Sequence, residues 1–337
     1  MLVQKALLFG IAAGCAAAVV FLSATNGPLL ARMLLYLITA LPLFFAGLAH
    51  GWRSAAVGGL VGTLAIAGAI APAVAGVFAA SVAIPVAVLV YLVLLNRPAS
   101  GPGPDVDETT GTEWYPIGRL VIWSAVISAG MSVAALFLIG PDMATLKDAV
   151  AKLVDEVVRV QLEAMGDGKK LEDADIARLT EIGVYLLPAL TSLSWMLTVL
   201  FNLWLAGRVA LASGGLQRPW PDIPAMQFPR WAPIALAAAS LATFLPGYPA
   251  LAASAASGSL YLAYVLMGLA VIHYITRGQS WRPLALWGLY AVLIVFNTGF
   301  SLLIAIIGLA DSFITIRRGG APPPNLPRGP VPPAPRT

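Results

Sequence analysis

Thr191, Trp195, Thr198 and Asn202 follow one another at steps of four, three and four residues. That spacing puts them on one face of a helix. Hydroxyl, indole and carboxamide groups aligned in this way can hold a small polar solute, or they can join neighbouring helices by hydrogen bonds. The stretch that carries them, Leu186–Arg208, is otherwise apolar and long enough to cross a bilayer, for which about 20 residues suffice. Pro188 lies one turn before the stripe and frees backbone carbonyls there. Three further polar side chains interrupt apolar runs, namely His273, Asn297 and Asp311. Ionisable groups inside a membrane are functional candidates by default. Asp311 has Arg317 and Arg318 as neighbouring cationic partners, and His273 offers a titratable ring near a span end. These seven residues are the ligand-binding candidates.

The sequence argues against several other chemistries. With one cysteine and two histidines, it offers no thiol pair and no metal-ligand spacing, so neither metal nor cofactor is expected. It contains no phosphate-binding glycine loop and no nucleophile elbow, and an enzyme is not expected. The sequence pI is near 9.3. Many of its basic residues lie in loops and at the ends of apolar runs, which suits anionic lipid rather than nucleic acid.

What must position the candidates is a membrane bundle. The chain of 337 residues is 59% hydrophobic and 11% charged, whereas soluble domains are about a quarter charged. Apolar runs recur at about 2–23, 29–49, 54–70, 73–95, 116–140, 186–208, 231–246 and 252–276, and residues 283–316 hold two short ones broken near Asn297. The pattern predicts an all-α polytopic transmembrane bundle of about nine or ten spans. Residues 1–95 form a four-span region rich in glycine and alanine. Small-residue pairs such as Gly10 with Gly14, Ala12 with Ala16 and Ala13 with Ala17 suit close helix packing there. Residues 96–115 read as a flexible linker, 116–316 as a second membrane region, and 317–337 as a disordered proline-rich tail.

Residues 141–181 form the one sizeable polar insert. Met143, Leu146, Val150, Leu153, Val157, Val160 and Ala164 repeat at three- and four-residue spacing, which predicts a helix with one apolar stripe. Gly166-Asp167-Gly168 breaks it, and a shorter helix at about 171–181 follows, giving an extracytoplasmic helical hairpin. With both termini in the cytoplasm and ten spans, 13 of the 20 basic residues lie on the cytoplasmic side. That satisfies the positive-inside rule and predicts a multi-pass protein of the bacterial inner membrane.

Four segments together resemble one family: the central Leu186–Arg208 with its Asn202, then Phe228-Pro229-Arg230-Trp231, MGLAVIHY at Met267–Tyr274, and GLADSFITIR at Gly308–Arg317. The chain is similar here to the YybS-like bacterial membrane proteins, domain of unknown function 2232. That family is in turn distantly similar to the substrate-binding subunits of energy-coupling factor transporters and to the rod-shape membrane protein MreD. The resemblance implies a small-solute site inside the bundle. It also implies a coupling membrane subunit and an ATPase as partners, with Ala12 and Ala16 or Ala13 and Ala17 meeting the coupling subunit. The chain departs from the transporter subunits in having more than their usual six spans and a large outer segment. The leading expectation is a transporter-like subunit; the alternative is a scaffold that binds cell-envelope or division proteins.

Overall fold

A computed structural model describes residues 2–25, 28–101, 103, 105–140, 142–165, 173–314 and 316–319. The proline-rich tail from residue 320, the Gly166–Gly168 turn and the Asn297 side chain lie outside the described residues. The fold is an all-α polytopic bundle. Among the described residues, six helices are long and apolar enough to cross a membrane. The chain divides into two compact units, Met1–Asp222 with Gln227–Ala263, and Ile223–Met226 with Tyr264–Thr337.

In the first unit, α1 (Leu2–Ser23) lies along α4 (Trp52–Ala69). Glycines meet at their contact. A Cβ on Gly10 would fall 2.6 Å from the Ser54 carbonyl oxygen, and one on Gly58 the same distance from that of Gly10. Only hydrogen fits at these positions, so the backbones touch, and Ser54 Oγ donates across the contact to the Ala6 carbonyl at 2.9 Å. In hydrocarbon, where apolar area gives no drive to associate, such van der Waals contact is what joins helices.

Between these two helices the chain makes a notched span, α2 (Leu29–Ile38) and α3 (Leu41–His50), which steps at Thr39–Ala40. Pro42 at the start of α3 cannot continue the hydrogen-bond ladder of α2. Next come α5 (Pro72–Phe78) and α6 (Ile84–Leu94), joined through a π-turn at Ala79–Ala83 just before Pro85. Leu43, Phe44, Phe78, Val86 and Leu89 are fully buried among these helices.

Residues 96–115 differ from the expected linker. They carry three short antiparallel strands in the order β1-β3-β2, with β1 Asn96–Pro98, β2 Val106–Asp107 and β3 Thr112–Trp114. Arg97 grips both oxygens of Glu113 at 2.8 and 3.0 Å across β1 and β3. This exposed pair holds the Glu113 carboxyl below its usual range.

After α7 (Ile117–Ile139) come α8 (Met143–Met165) and α9 (Asp173–Ala212). α9 is one helix of 40 residues, where a separate helix at 171–181 was expected. Between Glu181 and Leu186 the only helix-weakening residue is Gly183, and one glycine does not end a helix that is packed on both sides. α8 begins at Asp142, whose carboxylate accepts the Thr145 amide at 2.8 Å, as an N-cap does.

The predicted stripe of α8 divides in two. Leu146 and Val150 are buried against Val184 and Leu251, with Val154 packed beside them. Leu153, Val157 and Val160 are exposed. The row that meets α9 advances by four residues, as helix ridges do, so the 3–4 repeat drifts out of the contact after its second turn. The first unit continues through α10 (Ala232–Ala242) and the first part of α11 (Tyr248–Ile275).

The second unit holds the rest of α11, then α12 (Arg282–Val295) and α13 (Asn297–Ile314). The helix breaks at Phe296, between α12 and α13. Here too glycine sets the contact: a Cβ on Gly308 would lie 2.6 Å from the Gly268 nitrogen.

Replacing Gly58 with leucine should therefore lower stability by about 1–3 kcal/mol or more. Gly68, with nothing within 4 Å of its Cβ position, should accept alanine with no loss. Thermal unfolding of the two variants in nanodiscs checks the contrast.

Candidate functional site

Pro85 has no N–H, so the carbonyl of Ser81, four residues earlier, loses its helical donor. The indole of Trp195 on α9 supplies one, at 3.1 Å. Asn202 reaches the α2–α3 notch. It is fully buried, and its Nδ2 donates to the Leu37 carbonyl at 2.6 Å and to that of Thr198 at 2.7 Å. Thr198 thus enters the network through its backbone.

Around Pro188 the bonds come from both neighbouring helices. Ser132 of α7 donates to the Pro188 carbonyl at 2.8 Å and lies 2.7 Å from the Thr191 hydroxyl. Thr191 also bonds back to Leu187 at 2.9 Å. Ser254 of α11 donates to Tyr185, and Ser192 donates to Ala255 at 2.7 Å. The backbones of α9 and α11 touch here, since a Cβ on Gly258 would fall 2.5 Å from the Ala189 oxygen.

The four-residue stripe is therefore assembled on one helix, and three of its side chains bond to neighbouring helices. Asn202 Oδ1 is the exception. It is buried and accepts no bond among the described contacts.

Outside the spans, Arg218 is the buried cation among the described residues of the first unit. It donates to the Val93 carbonyl at 3.0 Å and to that of Tyr115 at 3.4 Å, and lies over the Trp114 ring at 5.5 Å. It ties the end of α6, the sheet and the start of α7 together. Burial pushes its pKa down to about 10, against the opposing charge of Asp105. Burial likewise pushes the Asp105 carboxyl up. The sequence signal for this staple was Trp114 at the end of the linker, which the sequence reading passed over.

In the second unit, Asp311 pairs with Arg317, one of its two expected partners. Nη2 of Arg317 reaches Oδ2 at 2.6 Å and Nε reaches it at 3.1 Å. The pair is buried, with side-chain exposures of 10% for Arg317 and 8% for Asp311. Nη1 donates to the carbonyls of Pro224 at 2.9 Å and Met226 at 2.7 Å. Nη2 also touches the Met267 sulfur at 3.5 Å. One guanidinium thus fastens the loop at 223–226, α11 and the end of α13. Two of the quoted motifs, MGLAVIHY and GLADSFITIR, meet here, at the Gly268–Gly308 contact and at this clamp. His273 is held on both ring nitrogens, by the Leu269 carbonyl at 2.9 Å and the Tyr290 hydroxyl at 3.3 Å. Because a carbonyl only accepts, Nδ1 carries a proton and donates to Leu269, as in a packing histidine. Among the described residues, no group of three metal-ligating side chains comes together.

A profile of the family described as "Predicted membrane protein (DUF2232)" matches residues 15–312, and the chain belongs to that family. No curated protein and no solved structure matches the chain.

Removing one partner of a buried pair leaves the other charge uncompensated, at a cost of about 3–5 kcal/mol. Arg317→Met should show that loss. Adding Asp311→Leu should restore much of it, leaving the Pro224 and Met226 carbonyls as the residual cost. Unfolding midpoints of the two variants and the wild type complete the test.

Proposed function

We propose that this member of the family is a multi-pass subunit of the bacterial inner membrane that binds partner proteins through its α8–α9 hairpin. The carrying observation is the length of α9. Its 40 residues span about 60 Å at 1.5 Å per residue, twice the roughly 30 Å of a hydrocarbon core. Asp173, Asp175, Arg178 and Glu181 all lie in its first third, so the excess projects at that end, with α8 packed beside it. The placement of arginine and lysine supports cytoplasmic termini, and the hairpin would then face the other side. The interior polar groups fit this reading, because Ser132, Ser192, Trp195, Asn202 and Ser254 are spent on joining helices. Envelope or division proteins are the partner class that such an arm would meet on that side.

Deleting residues 143–180 should remove the proteins that co-purify with the full chain, while α1 to α7 remain folded by thermal unfolding. Recovery of the same proteins with the deleted chain would overturn the reading.

A second reading is a transporter-like subunit that binds a small solute at the α9 stripe, with a coupling membrane subunit and an ATPase as its partners. The buried, unbonded Oδ1 of Asn202 favours it. Native mass spectrometry of the gently solubilised protein should then find a bound small molecule that Asn202→Leu abolishes. An empty wild-type protein would count against a solute.

A further inference from the structure

Where α8 and the first turns of α9 lie side by side, they leave an open groove of about 430 Å³. Its floor is apolar and shallow because Ala151 and Ala177 face it with short side chains, next to Ile176. Thr180 also lines it, but its hydroxyl is spent on the Ile176 carbonyl at 2.8 Å. The rim is charged. Lys147, Asp148 and Glu181 are all exposed, and among the described residues none of them is in an ion pair. An apolar valley between two helices with unpaired charges on its edges has the form that takes the ridge of a third helix.

The charge chooses the occupant. The rim carries two carboxylates against one ammonium. Residues 141–181 contain ten acidic and six basic side chains, a net charge of −4, within a chain of net charge +4. A second copy would bring the same negative segment to the contact, and an anionic bilayer surface would be repelled.

We propose that the α8–α9 groove is the docking site for a cationic amphipathic helix of a partner protein on that face of the membrane. The proposal rests on the docking-arm reading and names the surface and the partner chemistry. The partner's apolar stripe would lie on Ala151, Ile176 and Ala177, with its lysines or arginines against Asp148 and Glu181. Lys147 would set the register by excluding a cation from one edge. Attraction of this kind speeds encounter and weakens as salt screens it, with a Debye length of about 10 Å at 0.1 M.

The test uses the full chain in nanodiscs of neutral phosphatidylcholine. The probe is a labelled synthetic helix with leucine along one face and lysine elsewhere, and the same helix with glutamate for lysine is the control. Fluorescence anisotropy should show binding of the lysine helix, weaker at high salt, and about tenfold weaker for Asp148→Lys/Glu181→Lys. Ala177→Leu, which fills the floor without changing charge, should weaken it as well. Equal binding of both helices, equal binding to empty nanodiscs, or full affinity in the charge-reversed variant would overturn the proposal. So would a dimer of the wild type that the charge-reversed variant loses, since the occupant would then be a second copy. Co-purification separates the two levels. If deleting 143–180 removes the partners but charge reversal keeps them, the groove is wrong and the docking arm stands. If the deletion keeps them, the docking arm itself is wrong.

Discussion

A bilayer contains no water to take up a broken backbone hydrogen bond, and that constraint organises the interior of this protein. Its spans carry Pro42, Pro85 and Pro188, and each proline, lacking an N–H, leaves the carbonyl four residues earlier without its helical donor. At each one a side chain from another helix is found nearby. Asn202 reaches Leu37, Trp195 reaches Ser81, Ser132 reaches Pro188 and Ser254 reaches Tyr185. Trp195 answers the carbonyl that Pro85 frees, and because α9 takes part in all four bonds, it is the post to which the neighbouring helices are fastened.

Close packing completes the arrangement by a different means. Where glycine pairs bring backbones into contact, between α1 and α4 and between α11 and α13, no side chain intervenes and dispersion contacts dominate. The two devices divide the labour. Glycine contacts join helices along their length, and polar side chains are placed at the breaks. The Asp311–Arg317 clamp follows the same logic at a helix end. A guanidinium with five donors satisfies a carboxylate and two loop carbonyls together, which a lysine could not do with one compact charge.

Much of this was legible in the sequence. Apolar runs located the helices, the break near Asn297 was placed correctly, and Asp311 was matched with Arg317. The stripe on α9 was visible too, but its task was not. The carbonyls it reaches on other helices, Leu37 and Ser81, belong to residues more than 100 positions away. The strands at 96–114 escaped notice because segments of two or three residues are too short for alternation to register. On α8 the repeat was seen, but repeat spacing alone could not say whether the row of Val154 or that of Val157 would face α9. That choice depends on the crossing of the two helices, which is a property of the pair.

The most direct measurement is the unfolding midpoint of Asn202→Leu, Trp195→Phe and Ser132→Ala in ligand-free nanodiscs. If the stripe exists to hold broken spans together, each variant is less stable than the wild type, by about 0.5–2 kcal/mol per interhelical bond. Asn202→Leu should lose most, because it leaves a buried carbonyl unpaired. Midpoints equal to the wild type in all three would contradict the account and leave the stripe free for another purpose.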